Sequence, residues 1–85
     1  MKLYVISQSE NNDYDTYDSA VVCAENEEEA RKIHPSEYAE DKWWEKPKDP
    51  YSPWATKLEN VDVKYIGEAT EGVEPGIIIA SFNAG

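Results

Sequence analysis

Apolar residues recur along the chain in short bursts, and few bursts last long enough for a helix. Leu3 to Ile6 form the first, followed by a polar run from Ser7 to Asn12, the pattern of a strand entering a loop. A second strand is expected from about Tyr17 to Glu25. Its stretch SAVVCA has small or apolar residues at both parities, which predicts cover on both faces. The two strands could pair as a hairpin around NDYDTYDS.

The stretch ENEEEARKIHP predicts a helix. Asn26 is placed to cap it, with Glu29 three residues on as a capping-box partner. Glu27, Glu28 and Glu29 lie at the positive end of the helix dipole, and Arg31, Lys32 and His34 at the negative end. The (i, i+4) pairs Glu27–Arg31 and Glu28–Lys32 each add about 0.2–0.5 kcal/mol. Pro35 stops the helix after about two turns, with Ala30 and Ile33 as its docking stripe.

Residues 36–58 keep no period and hold Pro47, Pro50 and Pro53 together with Trp43, Trp44 and Trp54, an insertion-like segment that its aromatics can order. NVDVKYIGEA then alternates as a half-exposed strand, EGVEPG turns, and IIIASF reads as an inner strand because it is apolar at both parities. The order β-β-α-β-β predicts a single α+β domain over residues 1–85, with a four-stranded antiparallel or mixed sheet and one short helix on one face. So short a helix cannot cover both faces, so the tryptophan segment or a second copy of the chain must cover the rest.

Charge narrows the partners. Eighteen acidic against eight basic residues give the 85-residue chain a net charge of -10, which disfavours nucleic-acid polymers and anionic membranes. No apolar run approaches a membrane span, no signal-peptide core opens the chain, and the lone Cys23 reads as an inert core thiol. A cytoplasmic setting is therefore expected.

Candidate chemistry is sparse. DYDTYDS fails as a calcium loop: Asp13 and Asp15 fit, but Tyr17 takes the third ligand position, Asp18 replaces the glycine, and Ala24 stands where the bidentate glutamate belongs. Asn11, Asn12 and Asp13 suit turn-building. What is left is either packing or an acidic interaction face of Asp13, Asp15, Asp18, Glu27, Glu28 and Glu29, interleaved with Tyr14 and Tyr17. Arg31 and His34 are single residues of their kinds and could hold an anion. Lys42, Lys46 and Lys48 among the tryptophans could stack and hold a nucleotide, or merely snorkel beside a hydrophobic cover. No phosphate loop, nucleophile elbow or zinc pair is present, so no enzyme, metal or cofactor is expected.

ENNDYDTYDSAVVCAENEEEARKIHP, the tryptophan-rich middle, VKYIGEA and the closing ASFNAG together resemble a group of small acidic proteins encoded by bacteriophages. The resemblance spans nearly the whole chain apart from the variable middle. It implies a setting in the infected bacterial cell and a host-defence component as partner. The leading expectation is sequestration of a small nucleotide signal between associated chains, a homo-oligomer. Arg31, His34, Tyr14, Tyr17, Trp43, Trp44 and Trp54 would bind it, with Asn83 as hydrogen-bonding partner. The alternative is an acidic inhibitor or nucleic-acid mimic that occupies a basic groove of a host nuclease or effector.

Overall fold

A computed structural model of the chain describes residues 1–12, 14–36 and 39–83. Asp13 of the acidic loop, Tyr38 of the aromatic segment and the Gly85 carboxylate lie outside the described residues. The elements are β1 (Lys2–Gln8), β2 (Thr16–Ala24), α1 (Glu27–Arg31), β3 (Val61–Glu68) and β4 (Gly76–Asn83), with 3-10 turns at Trp43–Glu45 and Leu58–Asn60. The strands form one antiparallel sheet in the order β3-β1-β2-β4. The fold is α+β, and no helix among the described residues is long and apolar enough to cross a membrane.

The β1–β2 hairpin sets the frame, with Leu3 opposite Cys23 and Ile6 opposite Ala20. Residues opposite one another in an antiparallel pair share a face, so Tyr4 and Ile6 join Ala20 and Val22 on one side. That side carries the core, completed by Ala30 of α1, Val61 of β3 and Trp54. Trp54 is 0% exposed, and truncating an aromatic so placed costs about 3–5 kcal/mol.

Helix α1 runs for five residues, shorter than the two turns expected. The Asn26 side chain accepts from the Glu29 N–H at 2.8 Å, and Glu27–Arg31 and Glu28–Lys32 pair at 3.1 and 3.9 Å. The tryptophan segment packs on the same side of the sheet as α1, because Trp54 and Ala30 belong to one core. Among its described residues, those that join the core thus lie on the helix side and not on the opposite face.

The reading of IIIASF as an inner strand is corrected. β4 is an edge strand paired only with β2 among the described strands, and Ile77, Ile78 and Ile79 are 38, 49 and 65% exposed. Local apolarity reports which faces want cover; it carries no information on where the strand stands in the sheet. Two register shifts, between Tyr17 and Ser19 and between Val21 and Val22, interrupt the β2–β4 pairing.

Candidate functional site

Two loops meet at the end of the sheet where β1 gives way to β2. Gln8 follows Tyr4 and Ile6 in the inward register and is buried, so its amide needs internal partners. It finds them in the loop: Nε2 donates to the Asn11 and Tyr17 carbonyls at 2.7 and 2.8 Å, and Oε1 accepts from the Asn11 N–H. Asn11 Nδ2 then donates to the Trp54 carbonyl at 2.9 Å, and the Tyr17 N–H to the Pro53 carbonyl at 2.7 Å. These bonds fix residues 53 and 54 and so drive the Trp54 indole into the core.

A second clamp lies alongside. The Glu10 carboxylate accepts from the Thr56 N–H and hydroxyl at 3.0 and 2.6 Å and from Asn60 Nδ2 at 2.7 Å. Burial pushes the carboxyl up, but the bonds from Thr56 and Asn60 together with the charge of Lys48 hold it below its usual range.

At the C-terminal end of α1, the Trp43 indole N–H donates to the Lys32 carbonyl at 2.9 Å and so caps an orphan acceptor of the helix. Lys42, just before it, has a left-handed backbone at φ 54°. The Trp43 ring meets His34 edge-on at 5.3 Å and Trp44 at 5.6 Å, while the Lys32 ammonium lies 5.8 Å from the Trp44 ring centre. Trp43 and His34 form a partition between two open grooves. One, of about 540 Å³, is lined by His34, Trp43 and Trp44, with the cations Lys32 and Lys42 and the carboxylates Glu29, Glu40 and Asp41 around them. The other, of about 340 Å³, is lined by His34, Trp43, Lys46, Ser52 and Thr56.

His34 is neutral in this setting. Burial pushes its pKa down from 6.5 to about 4. The Ser36 N–H donates to Nδ1 at 3.0 Å, so the ring proton sits on Nε2, which is left to donate.

The residues proposed from sequence therefore separate into three places. His34, Trp43 and Trp44 come together at the grooves, with Trp54 behind them, its ring centre 6.3 Å from that of His34. Its indole N–H has no hydrogen-bond partner among the described residues. Tyr14, Tyr17 and Asn83 lie at the loop end of the sheet: Tyr14 is 75% exposed, Tyr17 packs edge-on against Phe82, and the Asn83 carbonyl accepts from the Asp15 N–H. Arg31 is committed elsewhere. Its guanidinium donates to the carbonyls of Val61 and Leu58 and pairs with Glu27, which anchors α1 to the start of β3.

The acidic residues divide too. Asp15 and Asp18 are exposed at the start of β2, and Glu27, Glu28 and Glu29 are exposed on α1 beyond its other end. Asp15 precedes β2 and Asp18 is its third residue, so even the nearer of the two is separated from α1 by the rest of the strand, about 20 Å at ~3.3 Å per residue. Asp15 adopts φ 62°, a backbone state that aspartate tolerates better than most residues, so its place in NDYDTYDS follows from the turn.

Sequence reasoning overlooked Gln8 and Glu10. Gln8 could have been found by parity, since a polar residue in register with Tyr4 and Ile6 must be either buried and bonded or out of place; nothing local marks Glu10, whose partners lie 46 and 50 residues away. Among the described residues, no three His, Cys, Asp or Glu side chains are grouped to hold a metal ion. Comparison of the chain with protein-family models, curated proteins and solved structures finds no match.

Proposed function

We propose that this chain is a non-enzymatic binding protein that captures a small nucleotide in the groove lined by His34, Trp43 and Trp44. The observation that carries the reading is the chemistry of that groove on a chain of net charge -10. Half-buried indoles offer stacking area, Lys32 and Lys42 offer positive charge to a phosphate, and neutral His34 keeps an Nε2–H donor. Lys42 has no ion-pair partner among the described residues. The groove volume falls in the range of small-molecule sites, about 300–1,000 Å³. Glu29, Glu40 and Asp41 share the groove and Lys32 pairs with Glu28 at 3.9 Å, so a phosphate would have to settle at Lys42, with the indoles supplying most of the hold on the base.

Arg31 stands outside this site, held by the Val61 and Leu58 carbonyls and by Glu27. The resemblance to small acidic phage proteins supplies the setting: a nucleotide signal of bacterial immunity, withdrawn from its receptor in the cytoplasm of the infected cell. The competing reading, an acidic plug for a basic groove, draws on the exposed Glu27–Glu29 and on Asp15 and Asp18.

Titrating linear and cyclic adenine and guanine nucleotides while following tryptophan emission and melting temperature tests the proposal. Binding should raise the melting temperature by mass action, Trp44→Ala and Lys42→Ala should remove the effect, and Arg31→Lys should keep it. No response to any nucleotide at about 1 mM, a concentration that detects even weak affinity, overturns the reading.

A further inference from the structure

The two loops that meet at the end of the sheet also enclose a cleft of about 270 Å³, to which one contributes Tyr14 and Asp15 and the other Pro50 and Tyr51. Hydrogen bonds tie both loops down beside it. Asn11 Nδ2 donates to the Trp54 carbonyl and the Tyr17 N–H to the Pro53 carbonyl, so Tyr14 and Tyr51 ride on one frame. The Asp15 N–H donates to the Asn83 carbonyl, and the Tyr51 N–H to Asp49 Oδ1 at 2.9 Å. That frame holds both phenol rings out in water, Tyr14 75% and Tyr51 91% exposed. Tyrosines displayed in this way offer a partner flat contact area at little further entropic cost. The left-handed turn accounts for the backbone of Asp15 and leaves its carboxylate unused, with neither an ion pair nor a hydrogen bond among the described residues. No lysine or arginine among the described residues lines the cleft.

We infer that this cleft receives a single arginine side chain of a basic partner protein. Size, charge and shape select that occupant. At about 270 Å³ the cleft lies below the about 300–1,000 Å³ of small-molecule sites, so it admits one side chain and not a nucleotide. Its charged lining group is a carboxylate, and a net charge of -10 on the chain steers cations towards it. A guanidinium is flat, so it can lie on a phenol face while its edge gives two parallel N–H bonds to Asp15; a lysine ammonium is a point charge with neither match. So exposed a site holds a lone guanidinium weakly. The exposed Asp18 and Asp49, a few residues along on either side, extend the negative field to the basic residues that flank an arginine in a protein chain. The groove at His34 has Lys42 to offer an anion, whereas this cleft has no such group, so the inference stands or falls apart from the nucleotide reading.

Titration of the intact, nitrogen-15-labelled chain with acetyl-Gly-Arg-Gly-amide, to about 20 mM in about 0.05 M salt, tests it by proton–nitrogen correlation NMR. The peptide should shift the amides of Tyr14, Asp15, Tyr51 and Ser52, with a dissociation constant on the order of 1–10 mM. The lysine peptide should bind at least about threefold more weakly, and the citrulline peptide, which keeps the shape without the charge, should not bind. Asp15→Asn, which keeps a residue tolerant of the left-handed turn, and Tyr51→Leu should each raise the dissociation constant more than about threefold. Both side chains are exposed, so far-UV circular dichroism should be unchanged. Glu71→Gln removes the same charge from the β3–β4 connection and should leave binding as it is. Equal losses in Asp15→Asn and Glu71→Gln would reveal general attraction to an acidic chain and overturn the inference. So would a lysine or citrulline peptide that binds as tightly as the arginine peptide, or no shift at these amides at about 20 mM. Agmatine carries the guanidinium without a peptide and should bind no more tightly; tighter binding would assign the cleft to a free small cation and overturn the protein partner.

Discussion

Acidification should act on this fold through one side chain more sharply than its many carboxylates would lead one to expect. His34 is partly buried against Trp43 and Trp54, and burial lowers its pKa from 6.5 to about 4. The Ser36 N–H aimed at Nδ1 works in the same direction, because protonation at that nitrogen would set two donors against each other. The folded state therefore prefers neutral His34. Above pH 6.5 both folded and unfolded chains are neutral at this residue and stability is full. As pH falls from 6.5 towards 4 the unfolded chain takes up a proton that the folded chain resists, and stability is lost; below about 4 the loss levels off. The full difference corresponds to about 3 kcal/mol. Part of the ring faces water, which reduces the expected loss to about 1–2 kcal/mol. Urea denaturation at a series of pH values, wild type against His34→Gln, isolates the contribution from that of the carboxylates, since the glutamine does not titrate and its Oε1 can still accept the Ser36 N–H. The stability difference between the two chains should narrow by that amount between pH 6.5 and 4. His34 is the only histidine, so its imidazole C–H resonances give the folded pKa directly by proton NMR. A titration midpoint at or above 6, or stability curves that run parallel for the two proteins, would refute the reasoning.

Arg31→Ala should cost about 1–2 kcal/mol in urea denaturation, because it strips donors from the Leu58 and Val61 carbonyls and frees Glu27; Arg31→Lys should recover only part, since an ammonium cannot reach both acceptors in a fixed fork. Glu10→Ala should destabilise by about 1–3 kcal/mol by leaving the Thr56 N–H and hydroxyl without their acceptor, and hydrogen exchange should show residues 55–60 opening first. Lys42→Gly should be neutral or stabilising by up to about 1 kcal/mol despite its entropic cost in the unfolded chain, because glycine takes φ 54° without strain; a loss above that size in thermal melts would show that the lysine stem packs on the tryptophans.

Local pattern carried the elements and failed on their arrangement. The β1–β2 hairpin, the Asn26 cap and both (i, i+4) ion pairs are properties of residues near one another and are present in the fold. So is the alternation of β3 from Val61 to Lys64, which lapses at Tyr65 and Ile66, both exposed beside an irregularity in the β1–β3 pairing. The edge position of β4 and the choice of Trp54 over Trp43 and Trp44 for the core depend on partners far along the chain. Pro53 and Trp54 are held by Tyr17 and Asn11, and no window around the tryptophans shows this. Arg31 shows the divide within one side chain. Its bond to Glu27 was legible as spacing, whereas its bonds to carbonyls near β3 span up to 30 residues and recast it from an anion site to a brace. At the grooves, His34 and the tryptophan pair could be read as chemistry-bearing types, but the capping of Lys32 by Trp43 that seats them could not.

The spatial order β3-β1-β2-β4 also sets the tempo of folding. The first hairpin can close locally, yet β3 must return to one side of it and β4 to the other, with Leu3 meeting Gly67 and Thr16 meeting Asn83. Loops this long close before any reward arrives, so the chain belongs with the slow folders, on a scale of about milliseconds to seconds. Until β4 docks, β2 is itself a bare edge with Val21, Val22 and Cys23 on show. The hazardous species for this protein is then a late one, three strands assembled and the fourth still searching, and aggregation during refolding should track the lifetime of that state.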